Sequence, residues 1–169
     1  GGRLWGRKSV IGIADDSLGT VTLGRQSSIL DSIIGGYDAY GNLRATAASD
    51  LIKYDNHIDH SILYVTPSYH GFYAKAHYGF GEHSGSLSKG HFFNVSVNYT
   101  NDALSLSLSG AHSDYGNGLD EDTSVDTDDA VAYYKKASLT PTKRDLYFLG
   151  QSYDFGVLKQ FALLTYGKT

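Results

Sequence analysis

Seven acids crowd residues 114–129: Asp114, Asp120, Glu121, Asp122, Asp126, Asp128 and Asp129. Clustered carboxylates suit calcium, but the glycine and closing glutamate of an EF-hand loop are missing. A solvated loop is the better reading of the run. His57-x-x-His60, with Asp59 between, offers three ligand types for a metal, yet strand positions three apart face opposite sides. Cysteine is absent, which excludes thiolate zinc sites, disulfides and thiol catalysis. His, Ser and Asp all occur, but no spacing assembles a nucleophile with its base, a phosphate-cradling glycine loop or paired catalytic acids. Neither an enzyme nor a cofactor is expected.

The elements that carry these residues follow from alternation with period two. Leu104-Ser105-Leu106-Ser107-Leu108-Ser109 sets leucine on one face and serine on the other. Phe93, Val95, Val97 and Tyr99 oppose Asn94, Ser96 and Asn98 in the same way. Phe72, Ala74, Ala76 and Tyr78 lie across from Tyr73, Lys75 and His77, and Val21 and Leu23 across from Thr20 and Thr22. Strands are expected at 3–14, 18–26, 58–66, 71–80, 91–100, 104–113, 145–153 and 157–167. Turn-forming residues at Asp15-Asp16-Ser17, Pro67 to His70, Asn101-Asp102-Ala103 and Asp154-Phe155-Gly156 give short connections. Segments 27–57, 81–90 and 114–144 give long ones. Short and long alternate strictly, so an up-and-down sheet gathers all short turns at one end.

Composition agrees with an all-β chain. Tyr occurs 14 times, Phe 7 and Gly 20, against two prolines. A net charge of −4 argues against nucleic acid as a partner, since phosphate binding needs a basic face. No apolar run approaches the ~20 residues of a membrane-spanning helix. Gly1-Gly2-Arg3-Leu4 has no basic region leading into an apolar stretch, so a processed or truncated start is expected. Two architectures fit the alternation. In a soluble sandwich or lipocalin-like barrel the apolar face points inward. In a transmembrane barrel it points outward. The second is favoured because the polar face is built of Ser, Asn, Thr, Lys and His, as a water-filled lumen wants. Moreover, Tyr78, Tyr99, Tyr153 and Tyr166 stand near strand ends on the apolar face, where amphipathic rings suit lipid headgroups.

Four stretches sharpen the choice. Leu4-Trp5-Gly6-Arg7-Lys8-Ser9-Val10-Ile11-Gly12-Ile13 with Leu18-Gly19-Thr20-Val21-Thr22-Leu23-Gly24-Arg25-Gln26 closely resembles a strand-turn-strand unit of proteobacterial general porins. Ser61-Ile62-Leu63-Tyr64-Val65-Thr66-Pro67-Ser68-Tyr69-His70-Gly71-Phe72 and Gln151-Ser152-Tyr153-Asp154-Phe155-Gly156-Val157 resemble later turn units of that family, in family order. The resemblance implies a transmembrane antiparallel up-and-down β-barrel of about sixteen strands in a Gram-negative outer membrane, usually a homotrimer. It implies passive diffusion of ions and small hydrophilic solutes among outer-membrane lipids. The strands match the fourth to the eleventh, so flanking strands are expected on both sides, and this stretch alone is not expected to insert stably.

The resemblance also suggests roles. Segment 27–57 resembles the loop that folds into such barrels and narrows them, making Asp31, Asp38 and Asp50 candidates for the negative side of a constriction. Those acids also fit plain turn-capping and solvent-facing roles. Arg7 matches a pore-facing arginine of the family, and by alternation Lys75 and His77 face the same way, with Lys159 a further candidate. Basic wall and acidic loop together would set up a transverse field for polar solutes. Arg25 fits support of the loop base or a subunit contact better than selectivity. Leu63 departs from the family, which often has a lumen arginine there, and Val65 stands where an acid is common. Anion preference is therefore doubtful. Lys8 is expected on the lipid face, snorkelling to headgroups, unless the register near it is off by one. A closed barrel acting as an adhesin or receptor through the acidic 114–144 loop is the alternative function.

Overall fold

The computed structural model describes residues 8–39, 57–81, 90–114 and 143–168. They form eight strands: β1 (Ser9–Asp15), β2 (Gly19–Ser27), β3 (His57–Val65), β4 (Phe72–Gly79), β5 (Phe92–Thr100), β6 (Leu104–Asp114), β7 (Lys143–Asp154) and β8 (Lys159–Lys168). One helix, α1 (Ile29–Tyr37), lies between β2 and β3. Each strand pairs antiparallel with its neighbours in the chain, in the order β1 to β8, and the sheet is not closed. The tight connections work as their side chains predict. Asp15 Oδ1 accepts from the Ser17 and Leu18 amides at 2.8 and 2.9 Å. Asn101 Oδ1 accepts from the Ala103 and Leu104 amides at 3.0 and 2.7 Å, and Asp154 Oδ1 from the Gly156 amide at 2.7 Å. Gly71 supplies the positive φ that turns the chain between β3 and β4.

The pleat separates two surfaces. Leu108 is 60% exposed, and Ile11 and Ile13 are 75% and 80% exposed on the same outer face. Val95, Val97, Leu149 and Leu164 share it. The opposite face is polar and covered: Ser61, Asn94, Ser96, Asn98, Ser107, Ser109 and Ser152 are buried there. The leucines of β6 therefore do not build a core. Aromatic rings gather near both ends of the outer face. Phe72 packs on Tyr99 at 4.6 Å and Tyr153 on Phe155 at 4.6 Å toward the short turns. Tyr78 with Phe80 and Tyr147 with Tyr166 stand toward the long connections. No helix among the described residues is long and apolar enough to cross a membrane.

Two details differ from the expectation. The pairing of Ile11 with Leu23 and of Val10 with Gly24 turns the isoleucines of β1 outward. Lys8, just before β1, keeps step with Val10, Gly12 and Ala14 on the polar side, so its assignment to the lipid face was one residue out of register. Between β2 and β3 the ladder passes from Gly24–Ser61 to Gln26–Ile58, so Arg25 opposes two residues, Asp59 and His60. This bulge, where His60 adopts a positive φ, brings Ile58 onto the polar side.

A charge placed at Leu108 separates the two possible surroundings of the outer face. In the full-length protein, Leu108→Arg is expected to cost about 2–4 kcal/mol of folding into lipid bilayers. Denaturant titration in vesicles measures it, and a cost near zero would mean that this face does not meet acyl chains.

Candidate functional site

The polar face carries a guest. Ser28 caps α1, its side chain accepting from the Asp31 amide at 3.2 Å, and Asp31 stands in the first turn where the helix dipole favours an acid. Ile29, Leu30, Ile33 and Ile34 recur at helical spacing and are all buried. Leu30 and Ile34 join Ile58, Phe92, Ala111, Leu146 and Phe148 in one cluster, with Leu163 packed against it. Apolar residues on a polar face would be misplaced in a bare wall. Here they are the landing patch of the helix, and the bulge delivers Ile58 to it.

The end of α1 is anchored twice more. Gly150 of β7 has no side chain, and a Cβ there would run into the Tyr37 ring. The Tyr37 hydroxyl lies 3.0 Å from Ser107 Oγ, while Ser107 donates to Asn98 Oδ1 at 2.6 Å. With the serine's hydrogen committed, Tyr37 is the donor of the pair. Burial raises the Tyr37 hydroxyl above the ordinary phenol range, outweighing the lowering effect of Ser107, so the donor keeps its proton.

The expected site residues fall as follows. Asp31 and Asp38 stand at the two ends of α1, Asp38 as its C-terminal cap. Lys75 is half-buried on the helix-side face of β4, its Nζ 5.8 Å from the centre of the Tyr73 ring. His77, two residues on, points the same way but is 0% exposed. Its Nε2 lies 2.9 Å from Ser61 Oγ and its ring meets Phe92 edge-on. Leu63 and Val65 pair with His77 and Lys75, so the neighbouring wall on β3 is apolar. Lys159 keeps step with Leu163 on the helix side. Arg25 binds Asp59 at 2.7 Å, linking β2 and β3 at the foot of the α1 segment. Arg7, Asp50 and Asp120 to Asp129 lie outside the described residues; Asp114 pairs with Lys143 at 3.6 Å.

Three features escaped the sequence reading. The helix itself was signalled by Ser28-x-x-Asp31 with apolar residues at 29, 30, 33 and 34. Tyr37 had no signal, because its partner is an unremarkable glycine far along the chain. Arg144 is buried, opposite Ser113 and in step with Leu146 and Phe148 on the helix side. Extending the Leu146–Phe148 alternation back by one step would have found it. Among the described residues no group of three or more His, Asp or Glu could hold a metal ion.

An antiparallel meander with an apolar, aromatic-girdled outside and a polar, hydroxyl-rich inside covered by a loop helix is the wall of a membrane β-barrel. The chain belongs to the Gram-negative porin family, whose model matches residues 1–169, and as such is a protein of the outer membrane. It is 30% identical, over 99% of its length, to an outer membrane porin protein of Bordetella pertussis, of which it covers 43%. Its fold matches an anion-selective porin from Comamonas acidovorans with a TM-score of 0.67 and 26% identity, over 94% of this chain and 45% of that one. The chain thus spans under half the length of these relatives.

Filling the notch under Tyr37 should undo the docking of α1. Gly150→Val in the full-length protein is expected to raise amide exchange across residues 29–37 while leaving the β6–β7 ladder protected. Tyr37→Phe, which loses one hydrogen bond, should weaken the docking by only about 1 kcal/mol. Unchanged exchange in Gly150→Val would show that the notch does not hold the helix.

Proposed function

We propose that the full-length protein is a passive diffusion channel for ions and small hydrophilic solutes. In this reading the chain supplies eight neighbouring wall strands and α1 narrows the lumen. The observation that carries it is the lodging of α1 on the polar face, where it occupies space that a water-filled barrel would otherwise leave open. A porin performs no covalent chemistry; its selectivity lies in width and lining charge. Asp31 and Asp38 supply the acidic side, with Asp50 a further candidate, and Lys75 the basic side; alternation from the outward Ile11 and Ile13 would turn Arg7 away from the lumen. Family membership supports a homotrimer surrounded by outer-membrane lipid.

Ion preference follows from the wall. Leu63 and Val65 beside Lys75 leave the basic side thin, so only a weak preference is expected, although the Comamonas protein of similar fold is anion-selective. Enclosed His77 adds little to the field that a passing ion feels.

Planar-bilayer recording of the full-length protein should give open, weakly selective channels. Lys75→Glu should move the zero-current potential in a salt gradient toward cation preference without closing the pore. A tight seal under all conditions would overturn the channel reading, and an unmoved potential would remove Lys75 from the lining.

A further inference from the structure

A lysine in a pore wall can be held in place in two ways. A carboxylate fixes the ammonium but offsets its charge. The face of an aromatic ring fixes it and leaves the charge whole, because a ring carries a quadrupole and no net charge. Lys75 is held in the second way. Its Nζ lies over the Tyr73 ring, 5.8 Å from the centre, within the range at which a cation is drawn to the ring face. The two residues are two apart on β4, so the pleat sends both side chains to the helix-side face as neighbours.

Nothing else among the described residues claims the ammonium. Val65 stands opposite Lys75 on β3 and Ser96 opposite it on β5, while His77, next along the same face, is wholly enclosed. None of these is anionic. Lys75 joins none of the ion pairs among the described residues, which link Arg25 to Asp59, His112 to Asp145 and Lys143 to Asp114. Tyr73 is itself fixed by the ladder: it pairs with Asn98, whose Nδ2 donates to the Tyr73 carbonyl at 3.4 Å and to Ser96 Oγ at 2.9 Å.

Lys159 gives the contrast. Its Nζ lies 5.5 Å from the centre of the Phe161 ring, two residues along β8, yet Asp154 stands directly across the ladder from it. An acid therefore offsets the field of Lys159, and no such acid pairs with Lys75 on either side.

We propose that Tyr73 is a positioning residue for ion selectivity, its ring holding the Lys75 ammonium at the lumen wall as a fixed, un-neutralised charge for passing anions. The inference rests on the channel reading and deepens it, by naming what keeps the one lysine of a thin basic side in place. Without the ring, the flexible four-carbon stem swings and the charge is spread over the lumen. Tyr73 acts through Lys75 and need not touch the ion.

The test uses the full-length protein. With lysine labelled in its side chain, NMR should find the Lys75 ε-methylene protons shifted upfield by the Tyr73 ring current, the signal being assigned by its absence in Lys75→Met. In Tyr73→Leu that shift should vanish. The zero-current potential in a salt gradient should then move toward cation preference, in the direction of Lys75→Met and by less. Tyr73→Phe, which keeps a ring, should rescue both readings. Added to Lys75→Met, the Tyr73→Leu exchange should move the potential no further, as a general change in the wall would. An unshifted Lys75 signal in the unsubstituted protein would overturn the proposal, and that readout stands even where Tyr73→Leu does not fold. So would a failure of Tyr73→Phe to rescue, or a Tyr73→Leu effect of equal size with and without Lys75. If Lys75→Glu leaves the potential unmoved, the lining role of Lys75 falls and this inference with it. If Lys75→Glu moves it and Tyr73→Leu does not, this inference falls alone.

Discussion

Backbone amides and carbonyls in hydrocarbon have no water to turn to, and every other feature of this chain follows from that demand. Eight strands meet it by pairing each with the next, without a crossover. Once the ladder is fixed, the pleat sends alternate side chains to opposite faces, and a single sequence must satisfy two solvents at once. The leucines of β6 and valines of β5 answer to lipid, and the serines and asparagines between them to the interior. Asp15, Asn101 and Asp154 close the short turns by standing in for missing backbone partners, so the ladder loses little where it reverses.

The interior face is more than a hydrophilic lining. Hydroxyls and amides bond one another across strands, as Ser107 does with Asn98, and this knits the wall where it would otherwise be wet. Into that face the chain sets an apolar patch of Phe92, Ala111, Leu146 and Phe148, sized for one side of α1. Hydrophobic burial, which has little to do on the outside of a membrane protein, here decides where a connecting segment rests.

The strands were legible because a period of two survives wherever one face meets lipid and the other does not. Where both faces are apolar, as at Val10-Ile11-Gly12-Ile13, the pattern names a strand but not its outward side, and only pairing with β2 settles Lys8. The bulge opposite Arg25 was invisible for a similar reason: no residue type announces it, and it reverses the inward set within β3. Of the candidate residues, the sequence could give only the face on which a strand residue falls. Lys75 and His77 share the expected face, but whether a side chain on it meets water or is sealed depends on long-range neighbours. For His77, Ser61 and Phe92 supply the sealing.

Gly150 and Tyr37 couple the wall and the helix sterically. A bulkier residue at the glycine would have to be answered by a smaller ring on the helix, or the aperture would change shape. In the proposed channel, a compensated exchange at these two positions, far apart in the chain, would reshape the lumen while leaving every strand in place.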